Sequence, residues 1–125
     1  MIDHVSIAVR DLSTATAFYE AVLSEIGFRK LDEKPGTCGF GKRYPEFWIN
    51  ARPDLPSDPS SGFHVCLRAR SVEHVRAFYR AALALGATAD GQPGLRPEYD
   101  SRYYASFVRD HDGNRIEVVT FVGEA

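Results

Sequence analysis

The feature that most constrains this chain is that it repeats itself. Shifted by 60 residues, the sequence lays His4 on His64, Val5 on Val65, Arg10 on Arg70, Ala17 on Ala77, Phe18 on Phe78, Tyr19 on Tyr79, Ala21 on Ala81 and Leu23 on Leu83. Eight identities within positions 4 to 23, a stretch of mixed composition, mark a duplicated unit. A copy of about 60 residues is marginal as a separate fold. With 44% apolar residues in 125, the chain is expected to build one core from both copies.

Each copy opens with an alternating run, Asp3 to Val9 and Phe63 to Ala69. A period of two puts Val5, Ile7 and Val9, or Val65, Leu67 and Ala69, on the core face of a strand. His4, Ser6 and Ala8, and likewise His64, Cys66 and Arg68, then face the other way. A helix follows each strand: Ala15, Phe18, Tyr19, Val22 and Ile26 recur at helical spacing, as do Val72, Val75, Phe78, Tyr79 and Ala82. Asp11 or Ser13, and Ser71, suit N-caps, and Gly27 and Gly86 stand where the helices should stop.

Short strand-like runs complete each copy: Phe28 to Leu31, Cys38 to Gly41, Phe47 to Asn50, Tyr103 to Val108 and Arg115 to Phe121. Asp110-His111-Asp112-Gly113-Asn114 is a hairpin signal between the last two. The Pro-, Ser- and Gly-rich stretch 52–62 reads as a connector. The expected organisation is one domain over 1–125, with module one at 1–51, the connector at 52–62 and module two at 63–122. The fold class is α+β. Set edge to edge, the modules would give a curved sheet with helices on its convex side and a cleft lined by His4 and His64.

Charge narrows the partners. Fifteen basic and 17 acidic residues, mixed along the chain, give a net charge of −2, so no single-sign field favours nucleic acid or an anionic membrane. No stretch approaches a membrane span, and Met1-Ile2-Asp3-His4-Val5 lacks a basic segment followed by an apolar one, so a cytoplasmic location is expected. Cys38 and Cys66 are too few for a disulfide framework and are read as reduced thiols. A small molecule, or a second copy of the chain, is the expected partner.

The strand and helix Ile2-Asp3-His4-Val5-Ser6-Ile7-Ala8-Val9-Arg10-Asp11-Leu12 and Ala17-Phe18-Tyr19, the second His64-Val65, and the terminal Asp112-Gly113-Asn114-Arg115-Ile116-Glu117-Val118-Val119 together resemble the vicinal-oxygen-chelate superfamily of glyoxalases, bleomycin resistance proteins and extradiol dioxygenases. The resemblance implies paired βαβββ modules in a mostly antiparallel U-shaped sheet around a divalent metal. Carried onto this chain, its metal ligands are His4, His64 and Glu117. A fourth carboxylate of the family should fall near Phe47-Trp48-Ile49, where this chain has Trp48, a departure from the lyase and epimerase pattern. The resemblance also implies a homodimer, because short members pair.

Two imidazoles and one carboxylate leave open coordination positions on a first-row metal such as iron, manganese, zinc or nickel. Oxygens of a small substrate would fill them, and lyase, isomerase and dioxygenase chemistry all use that arrangement. In the segment Gly94 to Tyr104, Arg96 can clamp a carboxylate or phosphate, and Tyr99 and Tyr103 can donate a hydrogen bond or a proton. Trp48, Cys66, Tyr104 and Phe121 are the candidate substrate wall. A different class of function, sequestration of a planar compound as in bleomycin resistance, would use Trp48 with Tyr99, Tyr103, Tyr104 and Phe121 as an aromatic cleft. Thiol transfer, as in fosfomycin resistance, shares the ligand triad. Each histidine taken singly reads as an ordinary strand residue; their equivalence under the repeat is what favours a metal. His74 and His111 read as exposed, and Gly39 and Gly41 as no phosphate loop, since no helix start follows them.

Overall fold

The computed structural model describes residues 1–56 and 62–123. The first half runs β1 (Val5–Val9), α1 (Leu12–Ser24), β2 (Arg29–Lys34), β3 (Thr37–Gly41) and β4 (Phe47–Ala51). The second repeats the order as β5 (His64–Arg68), α2 (Val72–Ala84), β6 (Thr88–Leu95), β7 (Tyr103–Arg109) and β8 (Arg115–Phe121). Of the stretch read as a connector, 57–61 lie outside the described residues.

Local chemistry sets these boundaries. Asp11 accepts the Thr14 amide at the start of α1, and Ser71 accepts the His74 amide at the start of α2, satisfying donors that a first helical turn leaves open. Gly27 and Gly86 follow the helix ends with φ of 88° and 96°. Phe18, Tyr19, Val22 and Leu23 of α1, and Val75, Phe78 and Ala82 of α2, form the buried stripes of the two helices. Each fully buried large side chain of this kind stabilises the fold by about 1.5–3 kcal/mol.

The strands form two four-stranded sheets, ordered β1-β4-β3-β2 and β5-β8-β7-β6. β1 runs parallel to β4, and β5 parallel to β8; the remaining neighbours are antiparallel. β1 and β5 are therefore each an edge of their own sheet. Helix α1 packs on β2, β3 and β4, α2 packs on β6, β7 and β8, and the helices touch each other. One apolar cluster joins Ile7, Phe40, Phe47 and Ile49 of the first half to Val65, Phe78, Val108 and Ile116 of the second.

The turn between β7 and β8 is anchored in the other half. Tyr19 Oη donates to Asp110 Oδ2 at 2.5 Å, Asn114 Nδ2 to the Ala8 carbonyl at 2.8 Å, and Arg10 Nη1 to Asp112 Oδ1 at 2.9 Å. Asp110 is buried, and its Oδ1 accepts the amides of Asp112 and Asn114. Burial, and then the neighbouring Asp110 charge, push the Tyr19 hydroxyl well above its ordinary pKa.

One element departs from expectation. β6, over Thr-Ala-Asp-Gly-Gln-Pro-Gly-Leu, has no alternating apolar pattern, and Gly94 and Leu95 belong to this strand rather than to a loop. It is the outer edge of its sheet, where a proline without an N–H and two register shifts are tolerated. Among the described residues no helix is long and apolar enough to cross a membrane.

Candidate functional site

The face of the second sheet turned away from the helices gathers polar and ionisable side chains. In the parallel ladder of β5 and β8, His64 pairs with Arg115 and Cys66 with Glu117. In the antiparallel ladder of β7 and β8, Phe107 pairs with Glu117 and Tyr103 with Phe121. Paired residues share a face, so His64, Cys66, Tyr103, Phe107, Arg115, Glu117 and Phe121 stand together. Tyr103, Ala105, Phe107, Val119 and Phe121 form a small apolar cluster separate from the main core.

Glu117 is the centre of this face. Only 2% of it is exposed, which for a carboxylate demands strong partners. His64 Nε2 lies 3.2 Å from its Oε1, and the Tyr103 hydroxyl donates to its Oε2. Burial, and next that hydrogen bond, push the Tyr103 hydroxyl far up, so it stays protonated through the neutral range. The Cys66 residue is exposed, yet its thiol, enclosed on this face, is pushed up to about 12 by burial and then by the Glu117 charge. Cys38 is buried in the core, and both cysteines are free thiols.

Other residues singled out from sequence lie at varying distances from this centre. Tyr99 is exposed and packs edge-on against Tyr103 at 5.1 Å between ring centres; Phe121 packs edge-on against the same ring at 5.4 Å. Arg96 lies over the Phe107 ring at 5.5 Å. Trp48 is on the other sheet, opposite Ser6, with Lys34 Nζ 5.6 Å from its ring centre. Tyr104 is a correction: strand alternation turns it away from Tyr103 into the main core, where its hydroxyl accepts from Arg76 Nε at 3.0 Å. It does not line the cleft. His74 and His111 are exposed, His111 meeting the Leu85 carbonyl at 2.9 Å.

His4 precedes β1 and is exposed, with Nδ1 2.8 Å from Asp3 Oδ1. It borders a depression with Cys66 and Arg68, but the chain does not bring it to the His64–Glu117 pair. Among the described residues no three His, Cys, Asp or Glu side chains are gathered closely enough to hold a metal. One chain thus supplies two donors, a nitrogen and a carboxylate oxygen, whose chemistry suits a divalent first-row cation. A third donor would have to come from elsewhere.

Sequence reasoning missed Asp90 and Phe107, which the same face also presents. Asp90 was hidden because β6 lacks a strand signal. Phe107 was legible in principle from the alternation Tyr103, Ala105, Phe107, Arg109.

Comparisons with known proteins agree with this layout. The family model described as Glyoxalase/Bleomycin resistance protein/Dioxygenase superfamily matches residues 1–118. A glyoxalase/bleomycin resistance protein from Albidiferax ferrireducens T118 superposes with a TM-score of 0.82 at 29% identity, over 94% of this chain and 96% of that one. A mutant of the genomically encoded fosfomycin resistance protein of Listeria monocytogenes, complexed with Mn(II) and 1S,2S-dihydroxypropylphosphonic acid, superposes at 0.69 with 17% identity, over 94% and 87%. A bleomycin-binding protein complexed with bleomycin gives 0.63 at 24% identity, over 92% and 93%. No curated protein matches the chain.

Proposed function

The chain belongs to the glyoxalase/bleomycin resistance protein/dioxygenase superfamily, and from that premise we propose that it is a metal-dependent enzyme acting on a small, oxygen-rich substrate. The observation that carries the reading is Glu117, a buried carboxylate on an open face, met by His64 Nε2 at 3.2 Å. A water-poor acid beside an imidazole is well suited to a divalent cation, which would replace the contact between them with two metal bonds. His64 and Glu117 would hold it, with His4 of a second copy as third ligand. Ile2 and Phe63, exposed beside His4 and His64, favour that pairing. When bound, the ion would supply Lewis-acid polarisation of substrate oxygens.

The chain's own groups have separate tasks. Tyr103 holds Glu117 Oε2 and fixes its orientation. Phe121 and Tyr99 pack edge-on against Tyr103 and would hold its ring in place. A substrate oxygen arriving beside Glu117 would meet the Tyr103 hydroxyl as a proton-bearing donor.

Metal analysis after loading with iron, manganese, nickel or zinc tests the reading. The wild type should retain one ion per chain, and Glu117→Ala and His4→Ala much less. Equal metal content in wild type and Glu117→Ala would overturn it. A second reading, sequestration of a planar compound, is favoured by the edge-packed Tyr99, Tyr103 and Phe121 rings. It would prevail if such a ligand bound equally well after chelator treatment and in His4→Ala.

A further inference from the structure

The same face carries a charge imbalance centred on Phe107. Asp90, on the edge strand β6, is shared by two guanidinium groups: Arg115 Nε donates to its Oδ2 at 2.7 Å, and Arg109 Nε stands 3.5 Å from the same oxygen. A third guanidinium, Arg96, folds back along β6 and gives Nη1 to the Gly94 carbonyl and Nη2 to the Gln92 carbonyl, both at 2.8 Å. Glycine at position 91 keeps this path open. A Cβ there would lie 2.8 Å from a Phe107 ring carbon and 3.3 Å from Arg96 Nη2.

The guanidinium carbons of Arg115 and Arg96 lie 4.4 Å and 5.5 Å from the centre of the Phe107 ring. Three cations, Arg96, Arg109 and Arg115, thus gather on this partly buried wall, and only two of them share Asp90. Asp90 holds Arg115 only through Nε, and among the described residues neither of its η nitrogens has a hydrogen-bond partner. Among the described residues Arg96 bonds only to backbone carbonyls, which carry no compensating charge. The wall adjoins the proposed metal pair: Phe107 is the register partner of Glu117, and its ring centre is 6.4 Å from that of His64.

We propose that Arg96 and Arg115, set against Phe107, form a subsite for an oxyanion group of the substrate, a carboxylate or a phosphonate. A forked guanidinium presents paired donors to two oxygens of such a group. Bonding to Asp90 and to the β6 carbonyls fixes both forks beforehand, so little side-chain freedom is lost on binding. The identification of the bound molecule as substrate rests on the metal reading above; recognition of the anion does not need the metal.

The test titrates the full chain, stripped of metal by chelator, with benzoate and with phenylphosphonate while amide NMR shifts are followed. Shifts should centre on 90–96, 107 and 115, and binding should weaken with added salt. Arg96→Gln and Arg115→Gln should each weaken it at least about tenfold, with Arg115→Lys, which keeps charge and loses the fork, in between. The tighter of the two probes identifies the head group as carboxylate or phosphonate. Glu117→Gln should bind the probes at least as well as wild type, so loss of the metal site and loss of the anion site are read separately. Shifts centred elsewhere, or unchanged affinity in the folded Arg96→Gln variant, would overturn the proposal. Because Arg96 bonds only to carbonyls, that variant decides the matter even if Arg115→Gln fails to fold.

Discussion

The two halves share a backbone plan and differ in what they do with it. In the first, Ser6 stands across the parallel ladder from Trp48; at the same place in the second, Cys66 stands across from Glu117. The first half answers its aromatic ring with Lys34, and the second answers its carboxylate with His64 and Tyr103. His4 lies before β1 and is exposed, whereas His64 opens β5 and reaches the acid. Equivalent positions in one fold thus carry an aromatic ring in one copy and a polar centre in the other. The lesson is that duplication supplies geometry, and a few inward-facing substitutions decide which copy carries the polar centre.

The comparison can be pressed hardest through the thiol. With a pKa near 12 in place of the ordinary 9.0, Cys66 should form on the order of a thousandth of the usual thiolate in metal-free protein at pH 8. A thiol placed opposite Trp48 by Ser6→Cys, in a Cys66→Ser background, should be alkylated by iodoacetamide on the order of 100-fold faster or more. Equal rates would show that burial and the Glu117 charge do not hold the Cys66 thiol protonated. Next comes the acid itself: Glu117→Gln should weaken metal binding roughly 100-fold, while Trp48→Phe leaves affinity and stoichiometry alone. Loss of metal in the Trp48 variant would mean that the first half contributes a site of its own.

A smaller effect is expected at Tyr103. Removing its hydroxyl with Tyr103→Phe should lower metal affinity roughly tenfold without unfolding the chain, as measured by competition with a chelating dye. The smallest concerns the contact that ties the halves together. Tyr19→Phe should cost about 1–2 kcal/mol in denaturant melts, because Asp110 keeps its amide donors. The raised hydroxyl pKa in the folded state also fixes a sign: the stabilisation is fully present below pH 10 and is lost as pH rises above it. The Phe variant should lose less stability on moving to alkaline pH than the wild type does. If both fall equally, the Tyr19 proton is not what links the halves to pH.

Much of the architecture was legible in the sequence because apolar period and caps are local properties. Both helices, Asp11 and Ser71 as caps and the run Arg115 to Phe121 follow from residues near one another in the chain, and the 60-residue repeat follows from laying the sequence on itself. β6 was not legible, since an edge strand with proline and glycine is stabilised by its neighbour rather than by its own pattern. Strand alternation sets Glu117 apart from Ile116 and Val118, and it equally separates Tyr103 on the cleft face from Tyr104 in the core. The closeness of His64 to Glu117 was implied by the family resemblance. The position of His4 relative to them could not be read from the residues, because it depends on how whole sheets are arranged and not on any local signal.

The anchored β7–β8 turn carries a consequence for how such a chain can change. Asp110, Asp112 and Asn114 reach Tyr19, Arg10 and Ala8, whereas the matching turn of the first half, 42–46, reads Lys-Arg-Tyr-Pro-Glu. A gene encoding either half alone would leave a buried tyrosine or a desolvated aspartate without its mate, so the ancient doubling has become a ratchet: the copies are free to drift in chemistry and no longer free to part.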